Sequence, residues 1–236
     1  MRTWIMGAWA VGMLFGGSSL LAQTSHAAVV AHFEAQWGPH PFLASGLVYV
    51  PLHAGAEGHP FYQSPGWQPG EVYLKGEHFP DLALRYELVT DQLLLHANLP
   101  GGAQAAIVLN AQLVDSFRLA NQVFVQAQHT GLPDPAATYY SRGYAGDMVL
   151  YLGYSKRFLA QYSALAPAGT YAQLTTEYLL LQDGVAYPIP NRRALLRHFA
   201  PIKKELRRYL RTHRLRYKQA SLSEWNALMK FCDERM

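Results

Sequence analysis

The sequence predicts an α+β fold in which an antiparallel β-meander is followed by two or three short C-terminal helices. Two observations predict it. Short apolar runs separated by turn residues fill the chain up to residue 191, and apolar residues at helical spacing replace them after that point. A meander of about ten strands is expected to form a curved sheet, a half-barrel or a sandwich, because large twisted sheets rarely stay flat.

Composition excludes several classes of protein. The chain has 236 residues, of which 50% are hydrophobic and 13% aromatic, and this excludes intrinsic disorder. Its one cysteine, Cys232, cannot form an internal disulfide, so a disulfide-stapled scaffold is excluded too. A chain of this length buries enough surface to fold without a metal or a disulfide, and no cofactor is predicted.

The N-terminal residues 1–27 are predicted to be a cleaved signal peptide. Arg2 gives a positive start, residues 4–21 carry no charge, and residues 25–27 match the small-x-small cleavage pattern. The alternative is an uncleaved membrane anchor, because the uncharged run approaches the ~20 residues that span a bilayer. We expect export to the periplasm or the outside of the cell, and no transmembrane helix after cleavage.

Strands are predicted wherever short runs rich in Val, Ile, Leu, Tyr and Phe lie between turn residues. These runs are residues 46–52, 71–75, 82–89, 93–96, 105–109, 114–119, 123–128, 148–153, 157–161, 177–181 and 185–188. Residues 53–70 and 129–145 are predicted to be loops. Asp183-Gly184 predicts a type I′ hairpin turn, which needs positive φ at both positions. Short links between strands predict antiparallel pairing, since parallel strands need long crossovers.

Helices are predicted after residue 191. Asn191 is a good N-cap for the first helix, Pro201 suits the first turn of the second, and Ser221 with Glu224 forms a capping box before the third. The apolar residues that recur at three- and four-residue spacing are expected to face the sheet; they are Leu195, Phe199, Ile202, Leu206 and Tyr209.

The charge is divided along the chain. Residues 28–191 hold 6 Lys and Arg against 12 Asp and Glu, whereas residues 192–236 hold 13 against 4. This asymmetry separates a β-rich region, 28–191, from a basic helical region, 192–236, that we expect to pack on the sheet in the same domain.

The basic residues have two interpretations. They form the solvated face of amphipathic helices, or they contact an anionic surface or a protein partner. Nucleic acid is not expected as the partner of an exported protein. The candidates for an anionic-surface site are Lys203, Lys204, Arg207, Arg208 and Arg211.

Two weaker patterns point to catalysis. His53, Glu57 and His59 lie in one predicted loop and are metal-ligand types, but their spacing matches no zinc motif and favours incidental histidines on an exposed loop. A pair of carboxylates is what glycoside hydrolysis needs. The carboxylates in or beside the meander, for which turn and edge-strand roles are the alternative, are Asp81, Glu87, Asp91 and Asp115.

Several segments resemble a family of uncharacterised secreted proteins from Bacteroidetes. The segments that carry the resemblance are residues 46–51, 58–62, 69–72, 74–76, 84–88, 91–94, 114–117, 187–189 and 203–206, together with Phe124, Asn191, Leu195, Leu196 and Tyr209. The resemblance covers residues 40–235 and implies secretion. It implies no activity and no catalytic residue.

Three hypotheses for the function follow. The first is a non-catalytic exported or envelope-associated module that contacts a protein or an anionic surface. The second is a carrier that holds a hydrophobic ligand inside the curved sheet, and the third is a hydrolase that depends on carboxylates or a metal. An apolar cavity inside the sheet would favour the carrier, and converging carboxylates would favour the enzyme.

Overall fold

The structure is a computed structural model that describes residues 43, 46–99 and 102–236. The predicted signal peptide lies outside these residues. The strands are β1 (Leu47–Val48), β2 (Gln68–Leu74), β3 (Glu77–Glu87), β4 (Gln92–Asn98), β5 (Gln104–Val108), β6 (Val114–Leu119), β7 (Gln122–Gln126), β8 (Tyr139–Ala145), β9 (Met148–Ser155), β10 (Phe158–Leu159), β11 (Thr170–Tyr171), β12 (Thr175–Gln182) and β13 (Val185–Pro188). The helices are α1 (Arg192–His198), α2 (Lys203–Thr212) and α3 (Leu222–Asp233).

The predicted α+β fold with an antiparallel β-meander is confirmed. Eleven of the described strands form one open sheet in the order β1-β5-β4-β3-β2-β6-β7-β8-β9-β12-β13, and β10 pairs with β11 separately. The paired strands of both sheets run antiparallel. Short turns join most neighbours, but β6 returns to pair with β2, so the sheet consists of two meanders joined at that pair.

The eleven-stranded sheet is strongly curved. The backbone N–H of Lys156, just after β9, donates to the carbonyl of Leu88, just after β3, at 3.2 Å. Four strands lie between β3 and β9 in the sheet order, so this bond requires the sheet to bend. The Asp91 carboxylate in the β3–β4 turn also accepts from the backbone N–H of Thr138, just before β8.

Aromatic side chains fill part of the space inside the curve. The rings of Tyr86, Phe117, Phe124 and Tyr139 are fully buried, and their centroids are 4.7 to 5.8 Å apart. They come from β3, β6, β7 and β8, so strands from both meanders contribute to one cluster. Most of the pairs meet edge to face, the arrangement that aromatic rings prefer.

The three helices share this core. The predicted apolar face is confirmed, because Leu195, Phe199, Ile202 and Leu206 are buried and Tyr209 is half-buried. All five pack in the same cluster as residues of the sheet.

The last helix is fixed to the end of the β8–β9 hairpin by polar contacts. The Tyr144 hydroxyl donates to the Asp233 carboxylate at 2.6 Å, and the Asn226 side chain donates to the Gly143 carbonyl at 3.2 Å. These bonds join β8 to α3, which follows it by more than seventy residues in the sequence.

Two of the three predicted helix starts are confirmed. The Asn191 side chain accepts from the backbone N–H of Ala194, and Ser221 forms a complete capping box with Glu224. The second prediction is wrong in detail. Pro201 lies before the helix, in a turn that ends where Lys203 donates to the Ala200 carbonyl at 3.3 Å. Proline suits this position because its fixed φ and missing N–H are compatible with a turn.

The prediction of a loop over residues 129–145 is also wrong. Residues 139–145 form β8, which pairs with β7 on one side and β9 on the other. Arg142 and Gly143 interrupt the apolar alternation, and the pairing shifts register between Arg142 and Tyr144. A β-bulge of this kind hides a strand from a period-two search. Two predicted strands, 46–52 and 157–161, are much shorter than predicted, because each forms a strand of only two residues.

The predicted type I′ turn at Asp183-Gly184 is confirmed by φ values of 51° and 74°. We expect Gly184→Val to lower the free energy of unfolding by about 1–2 kcal/mol, because a β-branched residue resists positive φ. No atom lies within 4 Å of a Cβ added at this position, so the cost is conformational and not steric. Chemical denaturation measures the change, and Gly184→Asn is the control, since asparagine tolerates positive φ. Equal stability of the valine and glycine proteins would contradict this account of the turn.

Candidate functional site

The clearest surface feature of the helical region is an open concavity of about 630 Å³ between α1 and α2. Five cationic side chains line it together with Leu196 and Ala200. We call this set the basic groove; its cations are Arg192, Arg193, Arg197, Lys203 and Arg207.

Helical periodicity explains why the cations collect there. Leu195 and Phe199 of the α1 segment face the core, as do Leu206 and Leu210 of α2. The exposed positions of both helices lie on the opposite side, and they are mostly Arg and Lys. A turn of only four residues, 199–202, separates the two helices and brings their solvent faces close together.

Among the described residues, no acidic side chain pairs with the cations of the basic groove. None of its five cations makes an ion pair within 4.0 Å with a described carboxylate. Glu205 is the one acid between residues 192 and 218, and it pairs with Arg235 at 3.3 Å. Clustered like charges repel one another, so an anion placed among them is stabilised by several cations at once.

The predicted anionic-surface residues are all exposed, and they do not all line the same concavity. Lys203 and Arg207 belong to the basic groove, whereas Arg208 lines a separate concavity with Tyr209 and Phe231. Lys204 and Arg211 line neither concavity.

Sequence reasoning did not include the three arginines of α1 among the site candidates. Their spacing carries a signal that would have found two of them. Arg193 and Arg197 are four residues apart, as are Lys203 and Arg207, and residues at this spacing share one face of a helix.

The loop residues proposed as metal ligands are not brought together. The His53 ring stacks on Phe158 at 3.5 Å between centroids, and Glu57 is exposed. The Nδ1 atom of His59 lies 3.4 Å from the Lys156 ammonium, and burial followed by that charge lowers the pKa of His59. Within the described residues, no group of three or more His, Cys, Asp or Glu side chains is arranged to hold a metal ion.

The candidate carboxylates have structural roles. Glu87 accepts from the backbone N–H groups of Val89 and Thr90, and Asp91 accepts from the Tyr86 hydroxyl. Asp115 accepts from the backbone N–H of Gly76 at 2.7 Å, and its other close contact is His129. The fourth, Asp81, is exposed and has a φ of 55° beside a bulge of β3. Turns and strand irregularities therefore account for these acids.

Cys232 is fully buried on α3. Burial raises the pKa of its thiol to about 12. Because the thiolate is the reactive form, this cysteine is neither a nucleophile nor a site for a disulfide with another molecule while the fold is intact.

Comparison with known proteins found no match to this chain. No family model matches the chain, and neither a curated protein nor a solved structure matches it. The resemblance to secreted Bacteroidetes proteins therefore stays a prediction. Over the residues that the structure describes, no helix is long and apolar enough to cross a membrane.

Proposed function

We propose that this protein is an exported, non-catalytic module of the cell envelope that binds an anionic lipid surface through the basic groove. The observation that carries the proposal is the set of five cations around one open concavity, none of which pairs with a carboxylate in the part of the chain that the structure describes. Export rests on the N-terminal sequence and on the resemblance to secreted proteins. The absence of a catalytic role rests on the structural tasks of the candidate carboxylates and histidines.

An anionic lipid surface suits this geometry better than an apolar ligand does. Each Lys or Arg near a negatively charged bilayer contributes about 1 kcal/mol of binding free energy. The concavity is open and lined mainly by charged side chains, so a ligand there keeps contact with water. The carrier hypothesis needs apolar space inside the sheet, and the rings of Tyr86, Phe117, Phe124 and Tyr139 occupy that side.

We expect the protein to sediment with vesicles of phosphatidylcholine and phosphatidylglycerol more strongly than with phosphatidylcholine vesicles alone. Lys203→Glu together with Arg207→Glu should weaken binding to the anionic vesicles by at least about 30-fold, because two contributions of ~1 kcal/mol are lost and two negative charges are added. Binding should also weaken from low salt to 0.15 M, as the Debye length falls to about 8 Å. Co-sedimentation over a range of lipid concentrations measures these changes.

A matched control separates the effect of the groove on vesicle binding from the effect of net charge. Arg157→Glu together with Lys230→Glu makes the same change in charge at two exposed positions outside the groove. This control should bind the anionic vesicles within a few-fold of the unaltered protein. The proposal is wrong if the groove variant binds like the control, or if phosphatidylglycerol does not increase binding. Tight binding of inorganic phosphate without vesicle binding would instead identify a site for small anions.

A further inference from the structure

A smaller cavity, separate from both concavities of the helical region, lies at the end of the sheet where β3 turns into β4. Its volume is about 190 Å³, and its walls come from β1 and the residues that follow it, from the β3–β4 turn, from Val108 of β5 and from Tyr171 of β11. Pockets for drug-sized ligands measure about 300–1,000 Å³. The cavity therefore fits a compact chemical group and not a large ligand.

One wall of the cavity contains a buried carboxylate. Glu87 is 2% exposed, and its oxygens accept from the backbone N–H groups of Val89 at 2.9 Å and Thr90 at 2.8 Å, and from the Thr90 hydroxyl. A carboxylate offers about four acceptor positions, so this arrangement leaves one for a ligand. Among the described residues, no Lys, Arg or His nitrogen lies within 4.0 Å of these oxygens.

Aromatic rings form other walls of the same cavity. Tyr49, His53 and Tyr171 line it, and packing holds the rings of His53 and Tyr171 in place. The His53 ring stacks on Phe158, and Tyr171 meets His53 and Phe158 at 6.2 and 5.7 Å between centroids. The faces of aromatic rings attract cations, and cages of such rings recognise quaternary ammonium groups.

The negative charge of Glu87 acts on the tyrosines that line the cavity. Burial and then the Glu87 charge raise the pKa of Tyr49 to about 12, and the same two causes raise the pKa of Tyr171. Arg85, two residues before Glu87 on β3, acts to lower the pKa of Tyr49. It does not line the cavity. Its guanidinium lies over the rings of Phe61 and Trp67, 5.0 and 4.2 Å from their centroids. Arg85 thus already occupies an aromatic site of its own.

We propose that the cavity formed by Tyr49, His53, Glu87 and Tyr171 binds a compact organic ammonium group. The Glu87 carboxylate supplies the opposite charge, and the rings supply the faces that surround the ligand. Apolar side chains at the mouth, Leu47 and Val50, are 79% and 72% exposed and would contact the carbon chain attached to the ammonium. This inference is independent of the basic groove, which lies on the helical region and has the opposite charge.

Choline chloride is the probe for the first experiment, and 3,3-dimethylbutan-1-ol is its neutral analogue of the same shape. Isothermal titration calorimetry and saturation-transfer NMR measure binding of each compound to the full chain. We expect choline to bind at least tenfold more tightly than the neutral alcohol. Glu87→Gln keeps the size and one accepting oxygen but removes the charge, and it should weaken choline binding at least tenfold.

Two further variants keep the test decisive. Tyr49→Leu removes a ring from a half-buried position and should weaken choline binding several-fold, which matters if Glu87→Gln does not fold. The Lys203→Glu, Arg207→Glu variant is the control and should bind choline like the unaltered protein. Equal affinity for choline and the neutral alcohol overturns the proposal, as does unchanged choline binding in folded Glu87→Gln or in Tyr49→Leu.

A separate measurement shows whether the ammonium group belongs to a lipid or to a free molecule. If phosphatidylcholine vesicles compete with free choline, the group belongs to a lipid head group; if they do not, the site takes a free soluble ammonium. Both results need the cavity to bind choline, and neither depends on phosphatidylglycerol. Failure of this inference therefore leaves the role proposed for the basic groove unchanged.

Discussion

Replacing Trp225 with alanine is expected to lower the free energy of unfolding by about 3–5 kcal/mol, the usual cost of deleting a large buried aromatic side chain. Trp225 is fully buried on α3. Its ring lies 4.8 Å from that of Tyr178 on β12 and 4.9 Å from that of Tyr217, between α2 and α3. The substitution therefore leaves a cavity where the last helix meets the sheet. Urea unfolding followed by far-UV circular dichroism measures the loss.

Lys230→Ala on the same helix is the matched control. Lys230 is exposed, and surface substitutions of this kind usually change stability by less than ~0.5 kcal/mol. If Trp225→Ala unfolds at the same urea concentration as this control, α3 does not pack on the sheet as described.

Leu206→Ala is expected to cost about 2–5 kcal/mol, because the side chain is fully buried on α2 and its removal leaves a cavity. The substitution changes no charge. Below its unfolding temperature the variant should bind anionic vesicles as the unaltered protein does, whereas Lys203→Glu with Arg207→Glu should lose binding and keep its stability. Thermal denaturation and vesicle co-sedimentation of both variants measure the two effects. A stable Leu206→Ala protein that no longer binds vesicles would contradict this division between packing and charge.

The features that depend on local chemistry were predictable from the sequence. Apolar spacing identified the buried face of α1 and α2, including Leu195 and Leu206. The side chains of Asn191 and Ser221 marked two helix starts, and Asp183-Gly184 marked a turn. Each of these signals lies within a few residues of the structure that it specifies, so neighbouring strands are not needed to interpret it.

The features that depend on distant parts of the chain were not predictable in this way. Strand β8 lacks a regular apolar alternation and is held by β7 and β9 on its two sides. The cavity beside Glu87 joins that residue to Tyr49 and Tyr171, and the three are far apart in the sequence. The curvature of the sheet and the course of residues 49–62 bring them together. Conversely, His53, Glu57 and His59 are close in sequence but form no metal site among the described residues, because His53 stacks on Phe158 whereas His59 contacts Lys156.

The position of α3 has a consequence for the order in which the core can close. Its buried residues Trp225, Leu228 and Met229 belong to the same core as β2–β9, and they follow all of those strands in the sequence. The strands therefore emerge from the ribosome before α3 does, and apolar surface on them stays uncovered until α3 arrives. Such incomplete forms are prone to aggregate or to bind chaperones.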